Sequence, residues 1–215
     1  KIEAELGEDE LDHNIQRLGY WPKYNQKSAI SEKEWQELKV KALPILRGPL
    51  FVGVKYGNDG ANVAMSVAVK TLSGKIFVET LDCQSIRNGN QWLINFFKEA
   101  NIESVVIDGQ SGQSILTNEM KDFRLKAPVL PTVKEIINAN ASWEQGIYQK
   151  NICHAGQPSL EKVVTNCDKR NIGTSGGFGY KSQFDDMDIC LMDSALLAHW
   201  ACHNAKPKKK QQIRY

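Results

Sequence analysis

The sequence predicts an α/β fold, a five-stranded mixed sheet with helices on both faces. Three observations predict it. Between residues 50 and 83, three β-rich runs are separated by tight turn signals. A short, continuous apolar run at 104–108 ends in an acid and a glycine, as a strand buried on both faces does. The segments flanking that run, and most of 132–203, carry the longer apolar period of helices.

Taken in order, residues 1–48 are polar and mostly helical in pattern, a connector with an attached helix. Ser31-Glu-Lys-Glu34 is a capping box, because the Ser hydroxyl can accept the third helical N–H while Glu34 reaches back. It opens a helix over 32–43 that buries Trp35 and Leu38, closed by Pro44 and Arg47-Gly-Pro49. Phe51-Val-Gly-Val-Lys-Tyr56 is β-branched and aromatic, hence a strand. Gly57-Asn-Asp-Gly60 tolerates positive φ and turns the chain into a strand over 62–70. Ser73-Gly74 turns it again into 75–83. Residues 90–100 read as a helix with Trp92, Ile94, Phe96 and Phe97 on its apolar side, and 113–123 as another. A short strand is expected at 127–130, stopped by Pro131. Thr132-Val-Lys-Glu135 is a second capping box, opening a helix to about 149. Pro158 opens a helix to about 170, 174–179 reads as a glycine-rich loop, and a last helix covers 186–203 with Trp200, like Trp143 before it, in the core. The expected organisation is a junction segment over 1–48, one domain over 49–204 and a basic tail over 205–215.

Composition excludes some classes. The chain has 215 residues, enough for one sizeable core, and at 41% hydrophobic and 24% charged it is ordinary for a globular protein. No apolar run approaches the ~20 residues of a membrane span. Five cysteines, odd in number and without a CxxC pair, predict reduced intracellular thiols and no zinc site. A net charge of +2 announces no polyanion partner, but the last ten residues hold five basic groups and no acid, and can sit on phosphates, on an acidic partner, or in water. The first residue is Lys rather than Met, which suggests a piece of a longer protein.

The order of elements resembles the RNase H-like fold. Nucleases of that fold hydrolyse phosphodiesters with two divalent metals about 3.5–4 Å apart. Mg²⁺ and Mn²⁺ prefer hard oxygen ligands, so such a site needs carboxylates gathered from strand ends and from a helix start. Asp108 fits best, ending the most apolar strand before Gly109-Gln-Ser-Gly112; its plain alternative is a helix cap. Asp185, Asp186 and Asp188 cluster at the start of an otherwise apolar helix, where one acid would be explained by the helix dipole but three are not. Asp193, five residues on, lies within a packing face, where a buried acid needs a reason. On the first strand the position where an Asp is expected holds Lys55. The nearest acid is Asp59, in the turn, and Glu79 on the third strand is a further candidate. Lys55 either contacts a phosphate, stands in for one cation, or marks a weakened site.

These stretches together resemble the C-terminal nuclease domain of tailed-phage large terminases, from phages of Gram-positive bacteria. The resemblance is carried by Phe51-Val-Gly-Val-Lys-Tyr-Gly-Asn-Asp-Gly60, by Val105-Val-Ile-Asp-Gly-Gln110, by His154-Ala-Gly-Gln-Pro158, and by Asp188-Ile-Cys-Leu-Met with Ala195-Leu-Leu-Ala-His-Trp200. Ile15-Gln-Arg-Leu-Gly-Tyr-Trp21 resembles the stretch joining motor to nuclease, and no GxxxxGK[ST] phosphate loop is present. The resemblance implies a metal-dependent endonuclease that cuts concatemeric double-stranded viral DNA during genome packaging, using one or two Mg²⁺ or Mn²⁺ ions. Asp108, Asp188 and Asp59 would be catalytic. Asp185, Asp186 and Asp193 would be further metal ligands, and Lys55, His154 and Lys134 would contact DNA or phosphate. Lys162, Lys169 and Arg170 would line a DNA groove or remain a solvated face, and His154 has a hydrogen-bonded core position as its plain alternative. Implied partners are double-stranded DNA, the terminase ATPase domain, the small terminase subunit and the portal, with no membrane, in the host cytoplasm. Two alternatives stay open: a catalytically weakened DNA-binding or docking module, and another RNase H-like nuclease of the resolvase or transposase type.

Overall fold

The structure, a computed structural model, describes residues 28–57, 60–174 and 176–205. The Ile15–Trp21 stretch, Asp59 and the basic tail from 206 lie outside the described residues. The expected three-stranded meander forms. Strand β1 (Leu46–Tyr56) pairs antiparallel with β2 (Asn62–Thr71), and β2 with β3 (Ile76–Ser85). After a 3-10 turn over Ile86–Asn88 and helix α2 (Gln91–Glu99), strand β4 (Ile102–Asp108) returns parallel to β1. Helix α1 (Glu32–Gln36) precedes the sheet.

The second half departs from expectation in four places. Residues 127–130 form no sheet strand, only a single parallel bridge between Val129 and Val106. The fifth strand is instead β5 (Ile152–Cys153), parallel to β3, which gives the order β4-β1-β2-β3-β5. Helix α5 (Pro158–Val164) stops well short of residue 170. The chain there enters β6 (Cys167–Ile172), which pairs antiparallel with β7 (Gly177–Ser182), so the glycine-rich segment is the tip of a hairpin. Cys167 and Tyr180, both buried, tether the hairpin to the core while Lys169, Arg170 and Asn171 stay exposed; that anchoring, not local propensity, decides the conformation. The first strand also begins earlier than expected. Gly48 with φ +95° and Pro49 sit in a register break between Arg47 and Phe51, the kind of irregularity at which a strand tolerates proline.

Helices α3 (Gln113–Asp122) and α4 (Val133–Tyr148) match expectation, and both predicted capping boxes are made, Ser31 with Glu34 and Thr132 with Glu135. Alternation along the strands sends side chains to two cores. Val52, Val54, Val63, Met65, Val67, Val105 and Ile107 face α2 and α3. On the opposite face Phe51, Ala68 and Val78 join Trp35, Trp143, Leu160 and the last helix, α6 (Cys190–His203). Helix α6 is buried all round, through Met192, Ala195, Leu196, Leu197, Ala198 and Cys202, so it lies in the core and not on its surface. Among the described residues no helix is long and apolar enough to cross a membrane.

Candidate functional site

The site is set by register. Lys55 on β1 pairs directly with Asp108, the last residue of β4, and with Ala64 on β2, which pairs in turn with Cys83 on β3. Directly paired residues share a sheet face. The row Asp108, Lys55, Ala64, Cys83 therefore crosses the sheet on one side, at the carboxyl ends of the two parallel strands β1 and β4. Helix α6 lies over this row at unusually short range. A Cβ on Gly53 would fall 2.0 Å from the Ser194 carbonyl oxygen and 2.6 Å from the Ala198 nitrogen, so only glycine at 53 admits the helix. Buried hydroxyls hold its register, with Ser66 Oγ 2.6 Å from Ser194 Oγ and donating to Thr80 Oγ1 at 3.1 Å.

This close approach brings the first turn of α6 over Lys55. The Lys55 ammonium donates a hydrogen bond to Asp108 Oδ2. It lies 3.8 Å from Asp193 Oδ2, so carboxylates separated by 85 residues of chain converge on one cationic nitrogen. All three side chains are largely withdrawn from water, at 10%, 26% and 17% exposure for Lys55, Asp108 and Asp193. Burial pushes the Asp193 carboxyl up to about 6, against the pull of Lys55. Burial works against the Lys55 charge too, but Asp193 and Asp108 outweigh it and hold its pKa above the usual lysine range. A small cavity of about 40 Å³ opens here, lined also by Asn140, Arg170 and Tyr180. It has room for an ion or a water, not for a nucleotide base. The Asn140 Oδ1 and the Tyr180 hydroxyl are buried without a hydrogen-bond partner among the described residues. Arg170 donates from Nε to the Tyr180 carbonyl at 3.1 Å, which fixes it beside the cavity.

Compared with solved structures, the chain is similar to the HK97 bacteriophage large terminase, with a TM-score of 0.64 and 14% identity, over 90% of this chain and 50% of that one. It is similar to the large terminase nuclease from thermophilic phage G20c, with a TM-score of 0.58 and 13% identity, over 81% of this chain and 98% of that one. It also matches the G20c nuclease with bound magnesium, at a TM-score of 0.55 and 14% identity, over 81% and 97%. The chain has the fold of a large-terminase nuclease domain. That is the RNase H-like architecture expected from the order of elements. The chain spans half the length of the HK97 terminase and nearly all of the G20c nuclease. No protein-family model and no curated protein matches the sequence.

Within this terminase nuclease fold the sequence candidates fall in different places. Asp108 and Asp193 come together. Asp188 lies just before α6, where Oδ1 accepts from the Cys190 N–H at 2.9 Å and Oδ2 is buried without a partner among the described residues. The helix starts at Cys190, four residues later than expected, because Asp185 and Asp186 are exposed in a turn and Asp188 takes up the first helical N–H. Glu79 pairs with Val67 and so points to the opposite face, away from the row. His154 is buried and stacked on Trp35 at 4.0 Å between ring centroids. Its Nε2 donates to the Trp35 carbonyl and its Nδ1 accepts from Gly156, which leaves no ring nitrogen for a phosphate. Lys134 is exposed on the first turn of α4, two residues before Ile136, which lines the cavity. Lys162 is exposed, and Lys169 pairs with Glu144 at 2.5 Å. Sequence reasoning missed Asn140 and Tyr180; the signal for Asn140 was a lone amide among the apolar positions of α4.

The fold's relatives raise the question of metal. Hard oxygen donors for one hydrated Mg²⁺ or Mn²⁺ are present, because the Asp188 Oδ2 has no partner among the described residues and the Asp193 carboxylate stands five residues along the chain from it. A two-ion centre does not fit: among the described residues no three His, Cys, Asp or Glu side chains stand together so as to hold an ion, and an ammonium occupies the point on which Asp108 and Asp193 converge.

Proposed function

We propose that this chain is the nuclease module of a DNA-packaging large terminase and hydrolyses double-stranded concatemeric viral DNA with a divalent ion. The observation that carries the reading is the convergence of Asp108 and Asp193 beneath α6, at the carboxyl ends of β1 and β4, in a fold shared with terminase nucleases. The G20c nuclease, with the same fold, has been crystallised with magnesium, which supports Mg²⁺ or Mn²⁺ here. Asp188 and Asp193 are the residues that would hold the ion, with Asp108, hydrogen-bonded to Lys55, beside them, Asp59 a further ligand and Asp185 and Asp186 in reserve. When bound, the ion would make its water a stronger acid and stabilise charge on phosphate oxygens.

The chain's own groups have separable tasks. Lys55 holds Asp108 by a hydrogen bond and supplies a fixed positive charge where the anionic oxygens of a strand would approach. Arg170, exposed on β6 and lining the cavity, adds a second cationic donor on the hairpin side. Gly53 and the Ser194–Ser66–Thr80 hydroxyls place α6, and with it Asp193. Contacts of this kind read phosphate and not sequence, so cleavage with little base preference is expected. The domain over 49–204 would act behind the terminase ATPase domain, with the small subunit and portal as partners, in the host cytoplasm.

The test is incubation of supercoiled plasmid with the chain and Mn²⁺ or Mg²⁺, beside Asp108→Ala. Metal-dependent nicking that disappears in the variant is the expected result. The Lys55–Asp108 ion pair favours one other reading, a weakened module that binds or docks without cutting. Plasmid left intact by the wild-type chain at every metal concentration, with DNA still retarded in a gel, would select that reading.

A further inference from the structure

We propose that the ammonium of Lys55 is the resident cation of this site, permanently filling one of two cation positions, so that the chain holds one divalent ion fewer than its carboxylates could otherwise take. The inference rests on the nuclease reading only in placing the site; its physical content is the geometry around one nitrogen.

Two carboxylates from distant parts of the chain aim oxygens at Lys55 Nζ, Asp108 by hydrogen bond and Asp193 from 3.8 Å. The lysine side chain is 10% exposed and projects from an interior strand of the sheet, between β4 and β2, so the ammonium is held away from solvent. An ammonium is a compact point charge with three donors, and it meets carboxylates much as a small metal ion does. It differs in carrying one charge instead of two, and in being tethered. Two converging carboxylates with no cation between them would repel across a partly dry interior until one took up a proton, so a fixed positive charge at the position keeps both ionised. Here the chain provides it covalently. Arg170 beside the same cavity further discourages a second ion. Asp188 differs: its Oδ2 is buried and has no partner among the described residues, while Asp108 and Asp193 already share a cation.

The proposal makes Lys55 the determinant of ion number. Lys55→Asp would replace the tethered cation by a third carboxylate pointing at the same place, and would open that place to a metal. Mn²⁺ binding to the full chain is the measurement, counted by electron paramagnetic resonance of free Mn²⁺ and by calorimetry, without DNA. Lys55→Asp is expected to bind one more Mn²⁺ per chain than wild type, and the extra ion should vanish in Lys55→Asp/Asp108→Asn. Should Lys55→Asp fail to fold, Lys55→Asn removes the charge while keeping an oxygen donor, and the same gain of one ion is expected. Equal stoichiometry in wild type and in a folded Lys55 variant overturns the proposal, as does an extra ion that survives loss of Asp108. Because no cleavage is read, these outcomes are independent of whether the chain cuts DNA: nicking abolished in Asp108→Ala with unchanged ion counts in Lys55→Asp would leave the nuclease reading standing and remove this one.

Discussion

Replacing Gly53 by alanine tests whether the approach of α6 to the sheet builds the site. In the native packing an added Cβ would sit 2.0 Å from the Ser194 carbonyl oxygen, 2.6 Å from the Ala198 nitrogen and 3.0 Å from the Leu197 Cβ. Ordinary contact needs about 3.5 Å or more, so helix and strand must part by about 1.5 Å, and the two nearest opposing atoms are backbone that cannot rotate away. Overpacking of this kind costs about 1–3 kcal/mol. The glycine lies in a strand without positive φ, so alanine also restricts the unfolded chain, a stabilising effect of about 0.4–1 kcal/mol. The steric cost wins, and a net loss of about 1–2 kcal/mol lowers Tm by roughly 2–8 °C for a domain of this size. The same displacement lengthens the 3.8 Å approach of Asp193 to Lys55, so Mn²⁺ affinity and nicking should fall together with stability. Guanidinium denaturation and thermal melting of the two proteins are the assays. An alanine variant as stable as wild type, or more stable, would show that α6 does not press on the strand and that the site is not built by that contact.

Two further perturbations address the same region. The Asp193 carboxyl titrates near 6 in the folded chain against an ordinary 3.8, so the folded state holds its proton more tightly than the unfolded one. Its contribution is therefore greatest below about pH 4 and is lost as pH rises through 6, a difference of about 3 kcal/mol. Relative to wild type, Asp193→Asn should gain stability between pH 4 and pH 7 in denaturant titrations; parallel pH profiles would contradict the burial of the charge. The Cys83 and Cys190 sulfurs lie 3.6 Å apart, linking β3 to the first residue of α6, and a bond would need an approach of about 1.5 Å. Mild oxidation with diamide should consume two of the five thiols within one chain, with a mass loss of two hydrogens, and Cys190→Ser should abolish it. Unchanged thiol counts after oxidation would place the start of α6 elsewhere.

Much of this molecule was legible in its sequence, for physical reasons that act locally. Turn chemistry at Ser73-Gly74, the capping boxes at Ser31 and Thr132, and the apolar run ending at Asp108 each depend on a few adjacent residues, and each appears where expected. Asp108 could be singled out because it ends the most apolar strand, and functional groups gather at the carboxyl ends of strands in open α/β sheets. Tertiary structure alone decided the rest. The β6–β7 hairpin exists because Cys167 and Tyr180 find a distant core, and the two-residue β5 because β3 offers a free edge to pair with. The choice of Asp193 over Asp185 and Asp186 depends on how closely α6 can lie on Gly53, a contact between residues 141 apart in the chain. The fate of Lys55 depends on register, which puts it opposite Asp108. Sequence shows which side chains carry charge; only packing determines which of them must share one dry volume and neutralise one another.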